Sequence, residues 1–197
     1  MKRDFFHCGT CDMVFVPSRF HLTIAAQLER YLTHNNNPSD PDYRKFLSRL
    51  SNALLPHLKI RSQGLDFGAG PGPALAIMLR EKHMDVDIWD PLFFPDKSVL
   101  NQDYDFITCT ETAEHFSDPA KEFILINSIL RPSGTLGIMT GMIESWEDFP
   151  DLSARYYHRD PTHICFYSKQ TMTWISEHFF WKVEFPVSNV TLFHKSA

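Results

Sequence analysis

Residues 64–72 read GLDFGAGPG, a short apolar run holding one acid and then three glycines and a proline within five positions. Glycines directly after a buried strand mark a place where something comes close to the backbone. In an open parallel sheet, ligands bind beyond the carboxyl ends of the strands, where the strand order reverses. A dinucleotide fingerprint, G-x-G-x-x-G, would continue Gly68 and Gly70 with a glycine at 73. The chain has Pro73 there, and its third glycine is Gly72. A second acid narrows the choice. Asp90 follows the apolar run VDIW (86–89), 22 residues after Gly68, where a carboxylate can accept both hydroxyls of a ribose. Asp-Pro is also an ordinary way to leave a strand. Loop and acid together favour a nucleoside-type ligand.

Outward from this loop the pattern alternates. GLDF is a strand, residues 73–83 a helix, VDIW a strand, and YDFITC (104–109) another. A helix over 119–130, the turn RPSG and a strand over 135–140 follow. A helix near 168–178 and two strands, WKVEFP and NVTLFHK, close the chain. The predicted fold is an α/β, Rossmann-like, doubly wound and mostly parallel sheet, ending in an antiparallel strand pair. Before it, 22–34 reads as a helix. Asp40-Pro41 opens a second helix with apolar residues at 43, 46, 47, 50, 54 and 58. The expected units are an N-terminal half-ribbon and helical lid over 1–61 and the ligand-binding domain over 62–197.

Composition agrees with one globular domain and an appendage: 197 residues, 43% hydrophobic, 17 phenylalanines and a net charge of −5. Residues 1–61 carry nine Lys/Arg against five Asp/Glu, and the remainder ten against nineteen. No dense basic stripe suggests nucleic acid. No apolar stretch suggests a membrane span, and Met1-Lys2-Arg3-Asp4 leads into no signal-peptide core. The expectation is a soluble cytoplasmic protein whose partner is a small-molecule or protein acceptor. Cys109 and Cys165 sit in apolar runs, whereas Cys8 and Cys11 form a single C-x-x-C with no second pair. No bound metal is expected.

The ordered motifs resemble class I S-adenosylmethionine (SAM)-dependent methyltransferases over residues 62–145, and more loosely to the C-terminus. GLDFGAGPG is similar to the first motif, DIWDP to the second-strand acid motif, and YDFITCTETAEHFSDP to the segment carrying Glu-x-x-Glu-His and Asp-Pro. Glu111, Glu114, His115, Asp118 and Pro119 match it. LRPSGTLGIMT resembles the turn and strand that follow. YYHRDPTHICFYS resembles a segment of an uncharacterised bacterial subgroup, in which Cys8 and Cys11 look like the second half of a zinc ribbon. The resemblance implies SAM as cofactor, with Asp66, Gly68, Ala69, Gly70 and Gly72 on it, Asp90 on its ribose, and Thr110 and Glu111 completing the set. An N-terminal helix folded over the cofactor would add Tyr31 and His34, with Asn35 as a weaker contact. One departure stands out: only residues 91–104 fill the place of a helix, a third strand and an adenine-contacting acid. The sheet is therefore expected to be shortened at that edge. Adenine would lie against Pro91, Leu92 and Phe93, with Gln102 or Asp103 nearby, although the same LFF run also suits a core.

Methyl transfer from a sulfonium is an in-line displacement, and the protein supplies position and, for oxygen or nitrogen acceptors, a base. His115, after the fourth strand, and His163 are the catalytic candidates. Tyr157, His158 and Asp160 are the substrate-binding candidates, with Tyr156 and Tyr167 on the rim. The opposing reading has His115 as a structural cap, Asp160 capping a turn and His163 opening a buried strand. A SAM-binding regulatory protein without turnover, or an N-terminal segment docking on a protein or RNA substrate, remain alternatives.

Overall fold

The structure, a computed structural model, describes residues 3–33, 36–147 and 156–197, without the side chains of Tyr156 and His158. Ten strands and six α-helices are described: β1 (Phe6–His7), β2 (Val14–Phe15), α1 (Ile24–Tyr31), α2 (Pro41–Leu54), β3 (Gln63–Phe67), α3 (Ala74–Arg80), β4 (Asp85–Trp89), β5 (Tyr104–Thr110), α4 (Pro119–Ile129), β6 (Leu130–Met139), β7 (Met142–Ile143), α5 (Tyr156–Arg159), β8 (Cys165–Ser168), α6 (Lys169–His178), β9 (Trp181–Val187) and β10 (Val190–Lys195). The main sheet runs β4-β3-β5-β6-β10-β9. Its β4-β3-β5-β6 portion is parallel, and β10 lies antiparallel to both β6 and β9. The sequence reading of the fold holds.

Side-chain alternation divides the core between the two faces of the sheet. Leu65, Phe67, Ile107, Leu136, Ile138 and Phe193 join Phe123 and Ile126 of α4 and Met172 and Ile175 of α6. Phe106, Met139, Val190 and Leu192 face the other way, onto Leu47, Leu50 and Leu54 of α2 and Leu75 and Leu79 of α3. The second helix, grouped with the lid in the sequence, thus lies in a helix layer of the sheet. Asp40 caps it by accepting from the amides of Asp42 and Tyr43, and Pro41 occupies its first turn. The RPSG turn appears as an irregularity inside β6: pairing with β5 jumps from Leu130 to Thr135, and Ser133 takes φ 61°.

At the shortened edge, a 3-10 turn (Lys97–Asn101) replaces the third strand, and β4 is left as the edge. Asp85 and Asp87 protect it against strand addition. Tyr104 donates to Asp87 (3.0 Å) and to the carbonyl of Val99 (2.8 Å), tying the turn to the sheet. A recess of about 750 Å³ opens along this edge, lined by Arg61, Arg80, Asp85, Asp87 and Gln102. It flanks the strand rather than the glycine loop, and Gln102 belongs to it.

A second sheet, β1-β2-β8-β7, was not legible in the sequence. The β1–β2 hairpin carries Cys8 and Cys11 at its turn and pairs through Val14 and Phe15 with Phe166 and Cys165. The two imidazoles nearest that turn in sequence are engaged elsewhere, His7 with Asp12 (2.9 Å) and His21 with the carbonyl of Val16 (2.8 Å).

Candidate functional site

The carboxyl ends of β3, β4 and β5 converge on one end of the sheet. β3 lies between β4 and β5, so the strand order reverses beside it. The glycine loop leaves β3, and the amides of Gly68 and Ala69 donate to the carbonyl of Trp89 (2.8 and 3.1 Å). Gly68 and Gly70 both take positive φ, 79° and 62°, a conformation that favours glycine.

The glycines first make room for the chain itself. A Cβ on Gly68 would fall on the side chain of Thr112, whose hydroxyl bridges the carbonyls of Gly68 (3.0 Å) and Thr110 (2.9 Å). A Cβ on Gly72 would fall on the carbonyl oxygen of Asn36. Asn36, just before α2, therefore lies directly on the loop, which the sequence reading gave to the ligand. Gly70 stays open, its nearest neighbour being the Asn36 amide at 3.6 Å. Below the loop, a gap of about 20 Å³ is lined by Tyr43, Leu47, Asp66, Gly68, Ala69, Gly72 and Thr110. The buried Thr110 hydroxyl, at its wall, has no hydrogen-bond partner among the described residues.

Asp90 is buried at the end of β4. One oxygen accepts from the amide of Gly70 (3.0 Å), the other from the amides of Leu92 (2.8 Å) and Phe93 (3.0 Å). The acid thus fastens the glycine loop to the turn after β4, leaving about one of its four lone-pair positions for a ligand. Pro91 is exposed, while Leu92 and Phe93 are half-buried.

Asp66 stands behind the loop, fully enclosed, and accepts from Thr108 at 2.7 Å. Burial pushes its carboxyl up to about 6, against the opposing pull of the Thr108 hydroxyl. The folded state therefore holds a proton that the unfolded chain has released between about pH 4 and 6. Stability is greatest below that window and falls as pH rises through it, by roughly 2–3 kcal/mol. Asp66→Asn keeps an oxygen for Thr108 and removes the charge. We expect it to melt several degrees above the wild type at pH 7, the difference closing near pH 4. A variant less stable than the wild type at pH 7 would show that the ionised form is wanted.

Across the site, β8 and the residues before it run alongside the turn after β5. The amide of Ile164 donates to the carbonyl of Glu114 (2.8 Å), and the Tyr167 hydroxyl to that of Ala113 (3.0 Å). This pairing brings together residues far apart in sequence: His115 and His163 have ring centroids 4.9 Å apart, with Tyr157 4.3 Å beyond His163. Gly141 N–H donates to the Tyr157 hydroxyl (3.0 Å), which donates to Thr140 (2.9 Å), which donates to the fully buried Glu114 (2.8 Å). Burial, then Glu114 and Glu111, raise the Tyr157 phenol well above its ordinary range. Glu111 itself takes the left-handed φ of 48°, and burial followed by the nearby Glu114 pushes its carboxyl up to about 8.

The lid meets this cluster through α1. Tyr31 packs edge-on against His115 at 5.3 Å. Burial raises its phenol, and Asp90, Asp160 and Glu114 add to the shift, which places one side chain within electrostatic reach of both halves of the site. Asp160, expected on the substrate, accepts from the Thr162 amide (2.9 Å) and hydroxyl (2.6 Å) and clasps Arg30 of α1 at 2.6 and 3.1 Å. Sequence reasoning did not single out Arg30, Asn36, Tyr43, Thr112 or Thr140. Of the remaining candidates, His34 and Asn35 lie outside the described residues, as do the side chains of Tyr156 and His158.

Comparison with known proteins agrees with this arrangement. Residues 39–184 match a family model described as a methyltransferase domain. No curated protein matches the sequence. Among solved structures, an O-methyltransferase family protein from Burkholderia thailandensis superposes with a TM-score of 0.58 at 17% identity, over 87% of this chain and 63% of that one. A SAM-dependent methyltransferase from Archaeoglobus fulgidus gives 0.56 at 18% identity, over 82% and 76%. The 1,6-didemethyltoxoflavin-N1-methyltransferase of B. thailandensis, with 1,6-didemethyltoxoflavin and S-adenosylhomocysteine bound, gives 0.55 at 15% identity, over 97% and 99%. The chain thus spans less than two thirds of the first of these structures and nearly all of the last. At such identities the likeness is one of fold.

Proposed function

The chain belongs to the methyltransferase-domain family, and from that premise we propose that it moves the methyl group of SAM onto a small-molecule acceptor held between the lid and residues 157–163. The observation that carries this reading is the convergence of three strand ends. Asp90, bonded to the glycine loop through Gly70, and the Glu111–His115 turn both lie within reach of Tyr31, a residue of the lid.

Bound there, SAM supplies a methyl group on a positively charged sulfur, open to in-line displacement. The residues present fit that group. Gly70 offers unobstructed backbone, Asp90 an acidic oxygen at the ribose position, and Thr110 a buried hydroxyl in want of a partner. Asp66, Gly68, Ala69 and Gly72 shape the floor; Pro91 and Leu92 offer apolar surface beside it. The gap of about 20 Å³ is far smaller than the cofactor, so the Asn36 segment lifts on entry and settles again to exclude water. His115 and His163 are the catalytic pair, each turning Nε2 toward the acceptor's nucleophile, with Tyr157 and His158 on the acceptor side. The β1–β2 hairpin and α1 act as half-ribbon and lid on the domain, to which α2 also belongs. Four free thiols fit a reducing cytoplasm, and no described helix is long and apolar enough to cross a membrane.

Calorimetric titration of SAM and of S-adenosylhomocysteine into the protein tests the reading. One-to-one binding of both, with the product tighter, is expected. Absence of heat with either would overturn it.

A further inference from the structure

Three side chains at the acceptor end share an unusual property: they converge, and none offers a proton to the others. Glu114 is fully buried; Oε2 accepts from Thr140, and Oε1 has no hydrogen-bond partner among the described residues. His115 Nδ1 lies 2.9 Å from the carbonyl of Thr162, and His163 Nδ1 lies 2.7 Å from that of Tyr157. A carbonyl only accepts, so each Nδ1 carries a proton, which leaves Nε2 as the nitrogen that can offer a lone pair. The ligand atoms of all three residues lie within 4.8 Å of one another. A buried carboxylate gathered with two imidazole nitrogens is an arrangement that a positive charge would complete.

We propose that Glu114, His115 and His163 bind one divalent first-row transition cation at the acceptor end of the site. Two imidazoles and a carboxylate suit zinc, manganese, iron or cobalt better than magnesium or calcium, which favour all-oxygen shells. The backbone carbonyls on both Nδ1 atoms are the outer-shell partners that fix ligating histidines. A metal–nitrogen distance of about 2.0–2.1 Å asks for a modest closing of the three groups.

What the ion does rests on the methyltransferase reading; that it binds does not. Two histidines and one carboxylate leave coordination positions open, which an acceptor hydroxyl fills. Its proton passes to solvent, its oxygen lone pair forms the new bond to the methyl carbon, and sulfur keeps the electron pair of the bond that breaks. The two histidines then serve as ligands rather than as the base.

The test is titration of Co²⁺ into the full-length protein, followed by visible absorption. We expect uptake of one ion with the bands of a nitrogen–oxygen site and without the near-ultraviolet thiolate band that Cys8 and Cys11 would give. Glu114→Gln and the more accessible His115→Gln should each weaken uptake by about tenfold or more, while a Cys8→Ser/Cys11→Ser variant leaves it unchanged. Melting temperature and S-adenosylhomocysteine binding serve as folding controls, so a collapsed Glu114→Gln leaves the His115→Gln result decisive. No uptake by the wild type, or uptake that follows the cysteines and ignores both substitutions, overturns the proposal. S-adenosylhomocysteine binding without Co²⁺ uptake removes the metal site alone, and the converse removes the methyltransferase reading alone.

Discussion

Asp90→Ala is expected to weaken SAM binding at least a hundredfold and to lower the melting temperature as well. Two losses add. The ligand loses a charged oxygen at the ribose position, a contact of about 1.5–3 kcal/mol. The protein loses the one group that accepts from Gly70, Leu92 and Phe93 together, so the loop and the turn after β4 come apart. Water replaces part of that bonding, and a stability cost of about 2 kcal/mol corresponds to roughly 4–8 °C for a domain of this size. Asp90→Asn separates the two effects. Its amide oxygen can still serve Leu92 and Phe93, but its NH₂ then faces the Gly70 amide, donor against donor. We therefore expect Asn to recover most of the melting temperature and little of the affinity. Calorimetry with S-adenosylhomocysteine and thermal melting on the same samples give the answer. Affinity within twofold of wild type in the Asn variant would make Asp90 a purely structural anchor.

How much of this was legible from sequence depends on how far each interaction reaches along the chain. The sheet was readable because each strand is a local apolar run, and because the Asp40, Asp118 and Ser168 caps announce their helices from within a few residues. The shortened edge followed from counting residues between VDIW and YDFITC. The second sheet escaped notice because three of its four strands are two residues long, too short for any period to show. The glycine loop was read correctly as a place of close approach, but not for its first occupant. Nothing local in GAGPG reveals that Asn36 rests on Gly72 or that Thr112 presses on Gly68. His115 and His163 were each picked out for their chemistry. That they form one cluster with Glu114 follows from strand β8 lying against the turn after β5, a pairing between segments about fifty residues apart.

The Arg30–Asp160 clasp spans a wider gap, 130 residues, and joins α1 to the segment before β8. In the proposed reading it is the latch of the lid. Burial by itself would raise the Asp160 carboxyl; the Arg30 and Thr162 hydrogen bonds outweigh it and hold the group well below the usual carboxylate range. The paired form therefore stabilises the fold above the unfolded value near 3.9, and that contribution is lost as pH falls through the depressed folded value. Arg30→Ala leaves a buried carboxylate still held by Thr162 but with only the more distant Arg3 as counter-charge, whereas Asp160→Asn leaves a partly exposed arginine that can turn to water. Arg30→Ala should thus cost more, about 2 kcal/mol, less than the 3–5 typical of a fully buried pair because Arg30 is partly solvated. It should also shift the onset of acid unfolding to higher pH. The consequence for function is kinetic. With the latch open, Asn36 and Tyr31 leave the loop and the His115 ring more readily, so SAM enters faster and escapes faster still. Stopped-flow measurement, read through Trp89 beside Asp90, should show a dissociation rate raised about tenfold, with affinity falling by somewhat less. In the Arg30→Ala/Asp160→Asn double variant, part of the stability returns because no buried charge is left alone, while fast dissociation persists because the lid is still unlatched. A dissociation rate equal to the wild type in both variants would mean that the pair holds the fold together and has no hold on the lid.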